Sequence, residues 1–183
     1  MTGEAGGIRP LPRWFMSLLN AVINLLRSVP FLILMIIVIP LSRLLLGTSI
    51  GTPASIVPLV IASFPFVSRL VETSIREVDA GVIEAAQSMG ATPLQIITKV
   101  MIPESMPSLI ANVTIATTTI MGYGAMAAII GGGGLGKIAI NYGYYRFNGL
   151  LEIFATALLV ILVQILQTVG TYLANRCDKR IQR

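Results

Sequence analysis

Charged residues are so sparse in this 183-residue chain that they mark out its elements. Four windows contain no Asp, Glu, Lys or Arg: 28–42, 44–68, 105–136 and 153–175. Crossing the hydrocarbon core of a bilayer takes about 20 apolar residues, so each window predicts one helical span. The first is short, carries Pro30 and Pro40 near its ends, and needs Arg43 to reach outward to the headgroups. Ahead of it, Trp14 to Leu26 predicts a helix that lies on the membrane surface or leads into the first span. That stretch runs on through Arg27 into more apolar sequence with no small-residue cleavage site, unlike a signal peptide. Residues 1–13, with Gly6, Gly7, Pro10 and Pro12, predict a flexible lead. The fold class that follows is all-α: a polytopic helical membrane bundle of about four spans, forming one domain over 14–183.

Between the second and third windows lies a polar segment at about 69–104. Within it, Val82 to Met89 predicts a short helix and Gly90 a left-handed cap. Thr92-Pro93-Leu94-Gln95 then predicts a new helix, with Thr92 as N-cap, Pro93 at the first position and Gln95 closing a capping box. The outcome is a rigid hydrophilic elbow inside a chain otherwise built for lipid.

The spans differ in character. The third window contains Asn112, Thr114, Thr117, Thr118, Thr119, Gly122, Tyr123 and Gly124, and polar groups in a bilayer need internal partners or water. It is expected to face the bundle interior, unless the Thr hydroxyls bond back to their own helix and the glycines serve close packing. The last window, mostly Leu, Val, Ile and Ala with Gln164 and Gln167, reads as a lipid-facing packing helix.

Orientation follows from the cations. Arg9, Arg13 and Arg27 precede the spans, Arg69, Arg76 and Lys99 lie in the polar segment, and Arg176, Lys179, Arg180 and Arg183 form the tail. In a four-span path these ten of thirteen basic residues share one side, against Arg43, Lys137 and Arg146. Both termini and the polar segment are therefore expected to be cytoplasmic. That distribution makes the net charge of +5 a topology signal and not a nucleic-acid footprint. The segment also carries Glu72, Glu77, Asp79, Glu84 and Glu104, a two-signed surface better suited to a protein partner than to a lipid patch.

Composition narrows the chemistry. Hydrophobic residues make up 55% of the chain and charged ones 11%, whereas soluble domains are roughly a quarter charged. One cysteine, Cys177, excludes an internal disulfide framework, and with no histidine there is no ordinary metal cluster or His-based triad; no cofactor is expected. Gly131 to Lys137 mimics both the dinucleotide pattern and most of the phosphate-loop pattern. Ile138 stands where the magnesium-ligating Ser or Thr belongs, and the run ends a span, so a flexible outer hinge or loop is the expectation. Gly47-Thr48-Ser49-Ile50-Gly51 mimics a nucleophile elbow without a base, so Ser49 reads as a turn residue before Thr52-Pro53 cap the next span. Glu72 and Arg76, four apart, read as a helix-surface pair. An intramembrane enzyme thus has little to work with. A permease driven by a separate ATPase fits, and a non-transporting assembly subunit is the alternative.

Glu84-Ala85-Ala86, three residues, Gly90, nine residues, then Val100-Met101-Ile102-Pro103 closely resembles the loop signature of ATP-binding-cassette importer permeases, with Val100 and Ile102 where Ile and Leu are usual. Asn24 to Phe31, Gly47 to Gly51, Met121 to Met126, Gly133 to Gly136 and Asn141 to Tyr144 extend the resemblance to methionine importer permeases over nearly the whole chain from about residue 14. The resemblance implies a homodimeric permease in a bacterial inner membrane, two copies of a cytoplasmic ATP-hydrolysing subunit, and an extracytoplasmic binding protein delivering D- or L-methionine. It places Glu84, Ala85, Ala86 and Gly90 in the coupling loop that enters a groove of the ATPase. A permease for another small solute is the alternative. Such permeases usually carry one more span before the equivalent of Trp14, and residues 1–13 are too short to form it. A methionine-sized path needs apolar, polarizable walls, which Tyr123 and Met126, three apart on one helix face, supply. Asn112, about three turns earlier, is expected to line the cytoplasmic half. The competing expectation is that Tyr123 and Met126 pack a dimer core.

Overall fold

A computed structural model describes residues 12–178. The lead expected for 1–13 therefore lies outside the described residues except at its last two positions, as do Lys179, Arg180 and Arg183 of the tail.

Among the described residues every regular element is helical. Helix α1 is Arg13–Ser28 and α2 is Phe31–Leu46. They cannot fuse, because a residue before proline is pushed out of the helical region. Val29, before Pro30, is extended at φ −82° and ψ 126°. The two axes meet at 113°. Gly47, left-handed at φ +72°, stops α2. Helix α3, Thr52–Arg76, therefore starts eight residues inside the 44–68 window and continues eight beyond its end. The extension is polar but held by charge: the Glu72 carboxylate meets Arg69 and Arg76 at 2.6 Å each, one helical turn to either side.

After α4, Ala80–Ser88, the chain enters a helix of 38 residues, α5, Pro93–Ile130. It is helical in three registers: a π turn at Ile97–Met101, α geometry at Ile102–Met126, and a tightened 3₁₀ end at Ala127–Ile130. The π turn widens the helix just before Pro103, whose ring would crowd a carbonyl one turn back and which donates no backbone bond. Of the 69–104 segment, then, 69–76 complete α3 and everything from Pro93 already belongs to α5. A three-residue α6, Leu135–Lys137, runs into a second π turn at Ile138–Tyr144. Helix α7, Gly149–Cys177, closes the fold, its first turn capped by the Leu151 N–H donating to the Asn148 side-chain oxygen at 3.3 Å.

Three helices, α3, α5 and α7, are long and apolar enough to cross a membrane, and the α1–α2 region, bent by 113°, brings the number to four if it is counted as a span. Helix α5 is central, packing on α3 along one side and α7 along the other. Against α7 it approaches so closely that a Cβ at Gly170 would collide with Thr114. The outer face of α7 carries exposed Ile153, Phe154, Val160, Ile161 and Ile165, as expected of a helix turned to lipid. At the far end of α5, buried Phe31, Met35 and Ala127 gather Leu59, Ala62, Tyr123 and Ile130 into the apolar core.

Candidate docking elbow and transport face

The elbow is built from local rules. The Asp79 carboxylate accepts from the Gly81 N–H at 2.6 Å, which starts α4 two residues earlier than the Val82 expected from the sequence. Gly90 takes φ +78°, and two reverse bonds finish the cap: Ala91 N–H to the Ala86 carbonyl at 3.1 Å and Gly90 N–H to the Gln87 carbonyl at 2.9 Å. Two residues on, the capping box is complete. The Gln95 N–H donates to the Thr92 hydroxyl at 3.4 Å and the Thr92 N–H to the Gln95 side-chain oxygen at 2.9 Å. Both helix ends at the turn are thus satisfied internally, so the elbow holds its shape without a partner.

Of the four residues singled out here, Glu84, Ala85 and Gly90 are exposed, whereas Ala86 is buried. Ala86 shapes the elbow from inside, and the other three face outward. The sequence reading passed over Met89 and Leu94, which are 81% and 67% exposed on the same elbow. Two exposed apolar side chains on the elbow that also exposes Glu84 give it an amphipathic surface. Their signal was apolar residues at positions flanking the Gly-Ala turn, where no core can reach.

On α5 the polar residues are spent differently. Thr114, Thr117, Thr118 and Thr119 each donate to a carbonyl three or four residues earlier, at 2.8 to 3.0 Å. The alternative of local satisfaction therefore holds for all four. Asn112 reaches across instead: its amide donates to the Ser74 hydroxyl at 2.7 Å and to the Leu70 carbonyl at 3.3 Å, both on α3. Ser74, also missed from sequence, is fully buried and is approached by the Ser108 hydroxyl at 3.3 Å. Asn112 thus works here as an interhelical tie.

Tyr123 stacks on Phe31 with ring centres 4.4 Å apart and planes 12° from parallel. Met126, on the next turn, is half exposed, and a Cβ at Gly122 or Gly124 would meet nothing within 4 Å. Two residues apart on a helix, Gly122 and Gly124 point to nearly opposite faces, so this stretch of α5 is loosely covered on both.

The glycine run is no loose hinge. It lies on the α2–α3 turn, where the Gly133 N–H donates to the Thr52 hydroxyl at 3.0 Å and the Gly51 N–H to the Ile130 carbonyl at 3.1 Å. Thr52 therefore receives this bond and does not cap its own helix, whose N-cap is Gly51. The Gly131 and Gly132 N–H groups turn back to the Ala128 and Ala127 carbonyls. Amides already committed in this way do not form a phosphate cradle. Glycine is required at 132 because a Cβ there would stand 2.7 Å from the Ala127 carbonyl oxygen.

Comparison with known proteins agrees with this architecture. The probable D-methionine transport system permease protein MetI of Vibrio cholerae serotype O1 is 52% identical over 162 residues, covering 88% of this chain and 72% of the relative. The methionine import system permease protein MetP of Bacillus subtilis strain 168 is 48% identical over 164 residues, covering 90% and 74%. A chain of the MetNI methionine ABC transporter, solved in an inward-facing conformation, superposes with a TM-score of 0.86 at 40% identity, over 97% of this chain and 82% of that one. Residues 5–183 match the model of the binding-protein-dependent transport system inner membrane components, and the chain belongs to that family.

Proposed function

We propose that this chain is the permease subunit of an ATP-driven methionine importer, working as a homodimer with two cytoplasmic ATP-binding subunits and an extracytoplasmic binding protein. The observation that carries the reading is the pre-formed elbow with exposed Glu84, Met89 and Leu94, standing at the start of the central helix of a membrane bundle. Relatives named as methionine permeases support the substrate. Hydrolysis of ATP belongs to the partner subunit. In this reading both termini and the elbow are cytoplasmic, in a bacterial inner membrane, which leaves ten of thirteen cations inside.

The geometry supplies a transmission. Nucleotide-driven closure of two ATPase subunits moves the docked elbows together. A rigid elbow passes that displacement into α5, which runs continuously for 38 residues, about 57 Å at helical rise, up to the Tyr123 stretch. Asn112 carries α3 along through Ser74 and Leu70. The π turn at Ile97–Met101 sets the register in which α5 leaves the elbow. Rocking of these helices then opens the path to alternate sides.

The test is purification from native membranes followed by reconstitution. An ATP-binding subunit is expected to come with the chain, and vesicles supplied with ATP and binding protein are expected to concentrate labelled methionine. Copurification without methionine uptake, but with uptake of another small solute, would reassign the substrate; no ATP-binding partner would sink the reading.

A further inference from the structure

Helix α1 serves neither the elbow nor the transport face, yet its sequence is sharply two-sided. At about 100° per residue, Ser17, Asn20, Asn24, Arg27 and Ser28 fall within one arc of roughly 100°, and the remaining positions from Trp14 onward are apolar. One edge of the apolar arc, at Ile23 and Leu26, is half-buried where α1 packs on α3. The rest is uncovered: Trp14 is 70% exposed and Leu25 68%, with Leu18 and Val22 between them.

Two observations say what covers it. The 113° bend at Val29–Pro30 turns α1 away from the direction of α2, so it cannot prolong that crossing. The helix contains no Asp or Glu, and Arg27 lies in its last turn, which suits an anionic surface and not a charged protein groove. A helix roughly perpendicular to a spanning one, apolar on one arc and polar on the other with Arg27 at its end, matches the boundary between acyl chains and headgroups.

We propose that α1 is an interfacial helix lying flat in the bilayer surface, with lipid as the partner of its Trp14–Leu18–Val22–Leu25 face. The inference rests on α2 and α3 crossing the membrane and is independent of substrate and ATPase. Its consequence is mechanical: the stiff Val29–Pro30 link sets the depth at which Phe31 enters, and hence the depth of the Tyr123 ring stacked on it.

Trp14 is the single tryptophan of the chain, a built-in depth probe. The full-length protein is reconstituted in phosphatidylcholine vesicles, with or without phosphatidylglycerol, containing lipids that carry a nitroxide near the headgroup or near the acyl terminus. Shallow label is expected to quench Trp14 emission at least about twofold more than deep label, as befits a helix some 5–10 Å below the headgroups. A Leu18→Asp, Leu25→Asp double variant is expected to lose that quenching and shift the emission to the red. Strongest quenching from the deep label would make α1 part of a span. Quenching by neither label would place Trp14 under protein, a second copy or another segment, or in water. Either result overturns the proposal, and loss of methionine uptake alone does not bear on it.

Discussion

The Asn112 amide donates to the Ser74 hydroxyl at 2.7 Å, across the contact between the two helices that flank the polar elbow. Ser74 is fully buried and itself donates to the Leu70 carbonyl at 3.1 Å, so each polar group in the node is answered by another. In an apolar bundle such a tie sets which turn of α5 meets which turn of α3. Side-chain hydrogen bonds between membrane helices are worth about 0.6 to 2 kcal/mol. Asn112→Val and Ser74→Ala are each expected to lower the melting temperature of the detergent-solubilised protein. In the double variant the losses should be less than additive, with a coupling of about 0.5–2 kcal/mol. Strict additivity would mean that the node orients the helices without stabilising them.

Glycines on α5 and after it separate contacts within one chain from contacts between copies. A Cβ at Gly136 would press on the Ala125 backbone, and one at Gly132 on the Ala127 carbonyl. Overpacking of this kind costs typically about 1–3 kcal/mol. Gly132→Ala and Gly136→Ala should therefore destabilise even an isolated subunit. Gly122→Ala and Gly124→Ala face open space within the chain and should leave the subunit's melting temperature unchanged. If the homodimer packs on that open stretch, the same two substitutions should weaken dimerisation, read by crosslinking or by sedimentation in detergent. Unchanged dimerisation in both would place the dimer face elsewhere.

The contrast shows what the linear sequence carried. Most local signals held: the Gly90 cap, the Thr92–Gln95 box and the Glu72–Arg76 pair all occur at the residues that predicted them, whereas the cap expected at Thr52 does not form. Charge-free windows located the three long spans but misplaced their ends, since α3 stays helical through Arg69, Glu72 and Arg76, where neighbouring charges neutralise one another. What escaped was non-local. Nothing in the order of residues says that Ser74 answers Asn112, or that Thr52, 81 positions from Gly133, accepts its amide. The glycine run read as a hinge because its constraint comes from the α2–α3 turn laid against it.

Orientation is testable through the same residues. With Cys177 replaced by Ser to remove the one exposed thiol, cysteines at Thr48 and Ser88 should react with a membrane-impermeant reagent from opposite faces, Ser88 from the cytoplasm. Labelling of both from one face would require an odd number of crossings between them to be abandoned, and with it the cytoplasmic elbow.

At the elbow, Gly90 and Glu84 are expected to act on coupling and not on folding. A β-branched side chain at φ +78° costs about 1–3 kcal/mol of local strain, while a Cβ there meets nothing within 4 Å. Gly90→Val should thus deform the turn without unpacking the bundle, and Glu84→Lys should reverse a charge on an exposed surface. Both are expected to reduce ATPase association and uptake together, at unchanged membrane levels. Met89→Ser should do the same more weakly by shrinking the apolar tip, which is 81% exposed. Normal ATPase binding in all three variants would reduce the elbow to a connector.

The core packing of Tyr123 and the path role proposed for it can be separated by substitution. Its ring stacks on Phe31, and an aromatic pair contributes about 0.5–1.5 kcal/mol beyond the area it buries. Tyr123→Phe keeps the stack and removes only the hydroxyl, whereas Tyr123→Ala removes both and opens the core beside Met35 and Ala127. Met126, half exposed on the same helix face, presents a polarizable thioether, and sulfur–aromatic contacts of about 0.3–1.5 kcal/mol would guide a methionine side chain along a path here without trapping it. If the path runs along this face, Met126→Ala and Tyr123→Phe should alter the relative uptake of methionine analogues while melting temperature and ATPase association hold. Tyr123→Ala should lower stability as well. A discrimination profile unchanged in both conservative variants, at normal expression, would leave Tyr123 as a core residue and move the path to another face of α5.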